Sequence, residues 1–130
     1  MSQFARGASA YRQTQIQSRT PLELVVMLYD GALRFIGNAR DAVERHDIAA
    51  RRDALNRALA IVSELQNTLN LRDGGEVAAS LDRLYSYVND RLLAAAIENS
   101  VGPLDEARAV LETLRDGWST IAVQSERKSA

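Results

Sequence analysis

The chain has 130 residues, with 16 basic and 17 acidic side chains, a formal net charge of −1 and no cysteine. A nearly neutral chain has no overall positive field that attracts nucleic acid, and a chain without cysteine has no disulfide and no thiolate metal site. The chain contains no run of about 18 uncharged apolar residues, which a membrane-spanning helix would need. We therefore expect a single cytoplasmic domain that binds neither nucleic acid nor a metal.

Residues 1–19 are polar, lack helical periodicity and contain three arginines but no acidic residue. This composition superficially resembles a transit peptide, but it favours a flexible N-terminal arm. The few large apolar side chains of this segment include Tyr11 and Ile16. We expect these two residues to anchor the arm on a groove of the folded body.

A helix is predicted over residues 21–45. Thr20 is a good N-cap, Pro21 suits the first helical position, and Glu23 can reach back to the cap. Apolar residues then cover nearly every side of this helix, and only a narrow ribbon of polar residues remains for water. Such a helix is best explained as the central element of a bundle, covered by other helices and by a partner.

Three further segments repeat a helical pattern of apolar residues, over 48–71, 76–98 and 103–122. In the third helix the predicted buried stripe has Tyr85 and Tyr87 on its shoulders; the stripe itself comprises Val77, Leu81, Leu84, Val88, Leu92 and Ala95. Short breaks between the helices imply antiparallel neighbours. The predicted fold is an all-α, antiparallel up-down four-helix bundle over residues 20–123, followed by a polar tail at 124–130.

No catalytic constellation is visible in the chain. The di-iron sites found in some bundles need paired Glu-x-x-His motifs, and this chain has one histidine, His46, at the predicted end of the first helix. A structural role suits His46 better than a catalytic one. No glycine-rich phosphate loop follows a strand, so we expect neither an enzyme nor a cofactor.

A binding function remains, and a set of short motifs extends over nearly the whole chain. The motifs are Tyr11, Thr20-Pro21, Leu28-Tyr29-Asp30-Gly31-Ala32-Leu33, Glu64-Leu65, Leu69-Asn70, Gly74-Gly75, Leu84-Tyr85-Ser86-Tyr87, Arg91-Leu92, Leu111, Leu114 and Trp118. In this order and at these spacings they resemble the FliS family of flagellar export chaperones. One departure from the family is Ala96, where an asparagine is common.

The resemblance implies a cytoplasmic chaperone that binds the C-terminal helical region of flagellin. Such a chaperone prevents premature filament assembly and delivers flagellin to the flagellar type III export apparatus. The partners implied further include the export gate and other flagellar regulators. Two alternatives stay open at this point: a self-associating helical-bundle scaffold, and a chaperone for a different helical client.

For the client-binding groove we expect exposed parts of the second and third helices. The candidates are Leu59, Ile61, Asn70 and Tyr87, because they lie beside the predicted apolar stripes. Each of these residues taken singly is equally compatible with a wider core. Tyr11 and Ile16 of the arm complete the predicted partner-binding set, because we expect the arm to cover part of this groove until the client displaces it.

Overall fold

Four α-helices account for most of the part of the chain that the structure describes. The computed structural model describes residues 20–129, with side chains as far as Gln124. The helices are α1 (Pro21–Glu44), α2 (Ile48–Asn67), α3 (Gly75–Glu98) and α4 (Gly102–Ser129). Helix α1 packs against α2 and α4, and α3 packs against the same two helices. The predicted all-α bundle is confirmed, whereas the predicted arm, with Tyr11 and Ile16, lies outside the described residues.

The starts of α1 and α2 are held by side-chain caps. The Thr20 hydroxyl oxygen accepts a hydrogen bond from the Glu23 backbone N–H at 3.2 Å, and Pro21 occupies the first turn. The Asp47 carboxylate accepts from the Ala50 N–H at 3.0 Å. Each cap satisfies a backbone donor that the helix itself leaves without a partner. Both helices therefore begin where the sequence predicts.

Two helix ends differ from the prediction. Helix α2 ends at Asn67 and not near residue 71, because the Thr68 hydroxyl donates to the Leu65 carbonyl at 2.8 Å and the chain turns there. Helix α4 continues to Ser129, through most of the predicted polar tail. Residues 125–129 are polar but include no glycine or proline, so their sequence remains compatible with a helix.

The core stripe of α3 contains four of the six predicted residues, Leu81, Val88, Leu92 and Ala95, but Ala78 and Tyr85 take the places of Val77 and Leu84. Tyr85 is 2% exposed and lies in the core, not on a shoulder, whereas Val77 is 70% exposed and Leu84 is also exposed. The residues that face the core alternate strictly at intervals of three and four; they are Ala78, Leu81, Tyr85, Val88, Leu92 and Ala95. This alternation is the knobs-into-holes seam of a bundle. The apolar residues of α3 that fall outside this stripe therefore lie towards solvent.

A small polar network crosses the otherwise apolar core. The hydroxyl groups of Tyr29 on α1 and Tyr85 on α3 are hydrogen-bonded to each other, and the Trp118 indole N–H on α4 donates to the Tyr29 oxygen at 3.2 Å. Burial, reinforced by the bond to Tyr85, raises the pKa of Tyr29 well above its ordinary value. The network therefore joins three of the four helices through neutral groups.

Candidate functional site

Exposed apolar side chains are concentrated on one helix. Among the described residues, nine large apolar side chains are exposed, and five of them belong to α3. Those five are Val77, Leu84, Tyr87, Leu93 and Ile97. A single exposed leucine needs no explanation, but a concentration on one helix marks an interaction surface. They lie on both flanks of α3, beside α2 and beside α4.

On the α2 side, Leu93 and Ile97 lie one helical turn apart and are 50% and 85% exposed. The register of the two helices follows from Gln66, whose side-chain amide donates to the Ser86 hydroxyl at 2.9 Å. Leu59 precedes Gln66 by seven residues and Leu93 follows Ser86 by seven, so antiparallel packing brings them level with each other. We call Leu59, Leu93 and Ile97 the α2–α3 strip.

On the α4 side, Val77, Leu84 and Tyr87 lie on the opposite flank of α3. The Tyr87 hydroxyl donates to a carboxylate oxygen of Glu106 on α4 at 3.0 Å. This hydrogen bond raises the pKa of Tyr87, and the guanidinium of Arg91 lies 5.9 Å from the centre of the Tyr87 ring. Tyr87 thus offers an aromatic surface whose position is held by two charged neighbours.

Ion pairs mark the surface where α1 meets α4: the Arg115 Nε lies 2.8 Å from an Asp30 oxygen, and the Arg40 Nε lies 2.9 Å from an Asp105 oxygen. None of the nine exposed large apolar residues in the described part of the chain belongs to α1, although the apolar residues at its start, 22 and 24–28, are half-buried. Exposed charges and ion pairs keep a surface hydrated. Most of the exposed large apolar side chains of the described residues therefore lie on α3, away from these ion pairs.

The predicted site residues fall at separate places on the bundle. Leu59 is half-buried against the core on the α3 side of α2, where it is part of the α2–α3 strip, and Tyr87 lies on the other flank of α3. Ile61 lies on the flank of α2 that faces α1, because a Cβ built on Gly31 would come 3.2 Å from its Cδ1 atom. Ile61 is half-buried and packs against the core. The structure therefore does not bring the predicted residues into one patch.

Asn70 has a clear structural role in the turn between α2 and α3. Its side-chain oxygen accepts from the Asp73 backbone N–H at 3.1 Å, and its carbonyl accepts from the Gly74 N–H at 2.7 Å. A Cβ on Gly74 would lie 2.5 Å from that carbonyl oxygen, and Gly75 has a φ of +58°. Asn70 therefore stabilises a tight turn that both glycines make possible.

Sequence reasoning missed four exposed apolar residues on α3: Val77, Leu84, Leu93 and Ile97. A signal for them exists in the sequence. Once the strict three-and-four alternation is placed through Ala78 and Tyr85, Leu93 and Ile97 fall outside the buried stripe, and an exposed i, i+4 apolar pair indicates a docking face. His46, at φ 57°, lies in the left-handed conformation just after α1 and is exposed.

Among the residues that the structure describes, no three His, Cys, Asp or Glu side chains form a group suited to a metal ion. In the same part, no helix is both long enough and apolar enough to cross a membrane.

Comparison with known proteins identifies the family of the chain. The model of the family described as flagellar protein FliS matches residues 4–125, which is nearly the whole chain. The chain belongs to the FliS family. This result confirms the resemblance seen in the sequence, and it makes the chain a member of a family of flagellar secretion chaperones.

Individual relatives agree with the FliS assignment. The chain is 40% identical over 120 residues to the flagellar secretion chaperone FliS of Bacillus subtilis (strain 168), covering 92% of this chain and 88% of that protein. It is 33% identical over 123 residues to FliS of Salmonella typhimurium, covering 91% of each. A crystal structure of a bacterial flagellar chaperone shares the fold, with a TM-score of 0.73 at 19% identity and coverage of 90% and 95%.

Proposed function

We propose that this FliS-family protein is a cytoplasmic export chaperone for flagellin. It binds the C-terminal helical region of flagellin, prevents premature polymerisation, and delivers the subunit to the flagellar type III export apparatus. The observation that carries the proposal is the concentration of exposed apolar side chains on α3, away from the ion pairs that join α1 to α4. A chaperone needs such an apolar surface, because it must cover the apolar face of its client.

The described surface suits a helical client better than a folded globular one. An amphipathic helix presents apolar residues at intervals of three and four, and Leu93 and Ile97 offer apolar partners at the same spacing. Folding of a disordered client on the chaperone carries an entropic cost that lowers the net affinity. A complex held in this way can be released without nucleotide hydrolysis, so the proposed function requires no catalysis.

The N-terminal arm is proposed to regulate access to this surface. Tyr11 and Ile16 are apolar residues in an otherwise polar segment, and a weakly anchored arm protects an apolar surface until the client replaces it. Deletion of residues 1–15 should therefore change the affinity for the client. An unchanged affinity would count against the arm while leaving the client assignment intact.

The decisive experiment is calorimetric titration of the full chain with the C-terminal segment of flagellin from the same organism, beside a filament-assembly assay. We expect saturable one-to-one binding and suppression of assembly. A folded sample that binds no flagellin segment would contradict the proposal. Light scattering on the free protein supplies the control, because a stable dimer that is indifferent to flagellin would favour a self-associating scaffold.

A further inference from the structure

One row of α3 that borders the α2–α3 strip carries hydrogen-bond acceptors at one-turn intervals. Asp82, Ser86 and Asp90 are spaced by four residues, so they form a continuous ridge along the helix. Asn89, Leu93 and Ile97 form the neighbouring ridge, nearer to α2, and the last two belong to the strip. The apolar strip is therefore bordered on its α3 side by two carboxylates and a hydroxyl.

We propose that this acidic ridge, formed by Asp82, Ser86 and Asp90, binds the basic edge of a client helix that lies in the α2–α3 strip. The inference rests on the proposed function and deepens it, because it specifies the chemistry of the client. The occupant is an amphipathic helix with apolar residues facing Leu59, Leu93 and Ile97. Along the edge that faces α3, it carries lysine or arginine side chains.

The hydrogen bonds of the ridge leave acceptors available. The Gln66 amide donates to one carboxylate oxygen of Asp82 at 2.9 Å and to the Ser86 hydroxyl oxygen, which fixes both side chains. The second Asp82 oxygen has no hydrogen bond from a described residue. Asp90 is exposed on the same ridge. Gln66 thus holds Asp82 and Ser86 in place, and the second Asp82 oxygen and the Asp90 carboxylate remain available to the donors of a partner.

Neither carboxylate of the ridge is paired with a basic side chain. Asp82 and Asp90 are two of nine acidic residues within 20–124 that form no ion pair. Asp30, Asp105 and Glu106, in comparison, each pair with an arginine of a neighbouring helix. Acidic side chains beside exposed apolar residues attract a basic partner and disfavour an acidic one.

The two borders of the strip differ in charge. On the α2 side, the exposed residues next to Leu59 by helical spacing include Arg52, Asn56 and Ser63, none of which is acidic. A client helix with basic residues on only one edge therefore binds with that edge towards α3. The acidic ridge sets the rotation of the client helix about its own axis, whereas the apolar strip supplies the contact area.

The test measures association of the full-length chain with a labelled synthetic peptide of the flagellin C-terminal segment, by stopped flow at several salt concentrations. The variant is Asp82→Asn/Asp90→Asn, in which the amide introduced at residue 82 keeps an oxygen that can accept from Gln66. We expect an association rate lower by about ten-fold at low salt and a weaker salt dependence, because rim charges act mainly on association. The matched control is Glu64→Gln/Glu98→Gln, which removes the same charge from exposed positions outside the ridge and should leave both quantities unchanged.

Peptide variants locate the contacts. Each lysine or arginine of the peptide is replaced by alanine in turn and measured against Asp82→Asn and against Asp90→Asn. We expect energetic coupling at two peptide positions about two helical turns apart, which matches the eight residues between the aspartates. If the parent binds the peptide normally and the double variant associates with it at the same rate, the ridge assignment is wrong. The proposed function would then still stand.

The same experiments distinguish the client helix from two other occupants of the strip and its ridge, the N-terminal arm and a second copy of the chain. If deletion of residues 1–19 abolishes the effect of the aspartate substitutions, the ridge faces the basic arm and the proposal is wrong. If sedimentation shows a dimer of the free chain that Leu93→Ser dissociates, the strip belongs to a second copy, and the proposal is again wrong. A parent protein that fails to bind the peptide overturns both the ridge and the proposed function.

Discussion

At the scale of single residues, the most informative feature is the buried pair of hydroxyl groups on Tyr29 and Tyr85. Tyr29 is fully buried and Tyr85 nearly so, and each side chain fills a large volume between helices that are not neighbours in the bundle. A buried hydroxyl is costly unless it is hydrogen-bonded, and these two groups satisfy each other, with Trp118 as a second partner of Tyr29. They therefore disfavour any packing of α1 against α3 that separates them.

Replacement of Tyr85 by phenylalanine should destabilise the bundle by about 1–3 kcal/mol, because it leaves Tyr29 without its buried partner. The double variant Tyr29→Phe/Tyr85→Phe should cost less than the sum of the two single substitutions, since no lone tyrosine hydroxyl remains in the core. Guanidinium denaturation of the four proteins measures the difference. Additive losses would contradict the coupling of the two hydroxyl groups.

Alkaline pH should weaken the fold through Tyr29. The folded state raises the pKa of this phenol above its ordinary value of 10.0, chiefly by burial. Below pH 10 the folded and unfolded chains both keep the proton; above it the unfolded chain loses the proton while the folded chain keeps it. The free energy of unfolding should therefore fall by about 1.4 kcal/mol per pH unit from this group. Denaturation of the parent and of Tyr29→Phe at pH 9 and 11 should show a shallower loss in the variant, and equal losses would contradict the assignment.

At the scale of helices and turns, the bundle depends on how α2 is joined to α3. The turn brings the Asn70 carbonyl within hydrogen-bonding distance of the Gly74 N–H, and this closeness leaves no space for a side chain at residue 74. Gly37, in the interior of α1, has open space around the position of a Cβ. A side chain at residue 74 therefore has no space, whereas a side chain at residue 37 has open space around it.

Alanine substitution at the two glycines should have opposite effects on stability. Gly74→Ala should destabilise the protein by about 2 kcal/mol, because its Cβ would lie 2.5 Å from the Asn70 oxygen and 2.6 Å from the Ala78 Cβ. Gly37→Ala should stabilise it by about 0.5–1 kcal/mol through a better helix propensity. Thermal unfolding followed by circular dichroism measures both. A neutral Gly74→Ala would show that the turn can relax.

The sequence was sufficient for the number of helices and for their starts, because caps and breaks are local signals. Thr20 and Asp47 both cap where predicted. The orientation of α3 was harder to predict, because apolar residues occur on several of its sides, and period alone does not say whether Leu84 or Tyr85 is buried. The end of α4 was missed because polarity was interpreted as loss of helix, although a helix with one exposed side tolerates a polar last turn.

At the scale of the whole molecule, the exposed apolar side chains of the described residues are concentrated on α3, away from the ion pairs that join α1 to α4. Leu92 and Leu93 are adjacent on α3 but differ in burial, since Leu92 is fully buried and Leu93 is half exposed. Substitutions at these two residues therefore separate core packing from the proposed client binding.

The two leucines should respond differently to the same substitution. Leu92→Ala should cost about 2–5 kcal/mol of stability, because it opens a cavity in the core. Leu93→Ala should cost less than about 1 kcal/mol of stability but weaken binding of the flagellin segment roughly ten-fold, because it removes apolar contact from the α2–α3 strip. Thermal unfolding and calorimetry supply the two readings. Full-strength binding by a folded Leu93→Ala variant would place the client elsewhere.

The candidate site was less accessible from sequence than the fold, and the reason is geometric. Residues that flank a stripe are either client contacts or contacts to the next helix, and only the positions of the neighbouring helices decide between them. Leu59 and Ile61 illustrate the difficulty: they are two residues apart, yet Leu59 is level with Leu93 and Ile61 packs at Gly31. The partner-binding roles of these residues, of Asn70 and of Tyr87 stay predictions.

The contact between Trp118 and Tyr29 has a practical consequence for optical spectroscopy. The chain contains a single tryptophan, so its emission reports one location, where the indole N–H is hydrogen-bonded to a buried phenol. Tyr29 is close enough to transfer excitation energy to this indole, and that transfer ends when α1 and α4 separate. Emission of Trp118 therefore reports whether the interior of the bundle is assembled, without any attached dye.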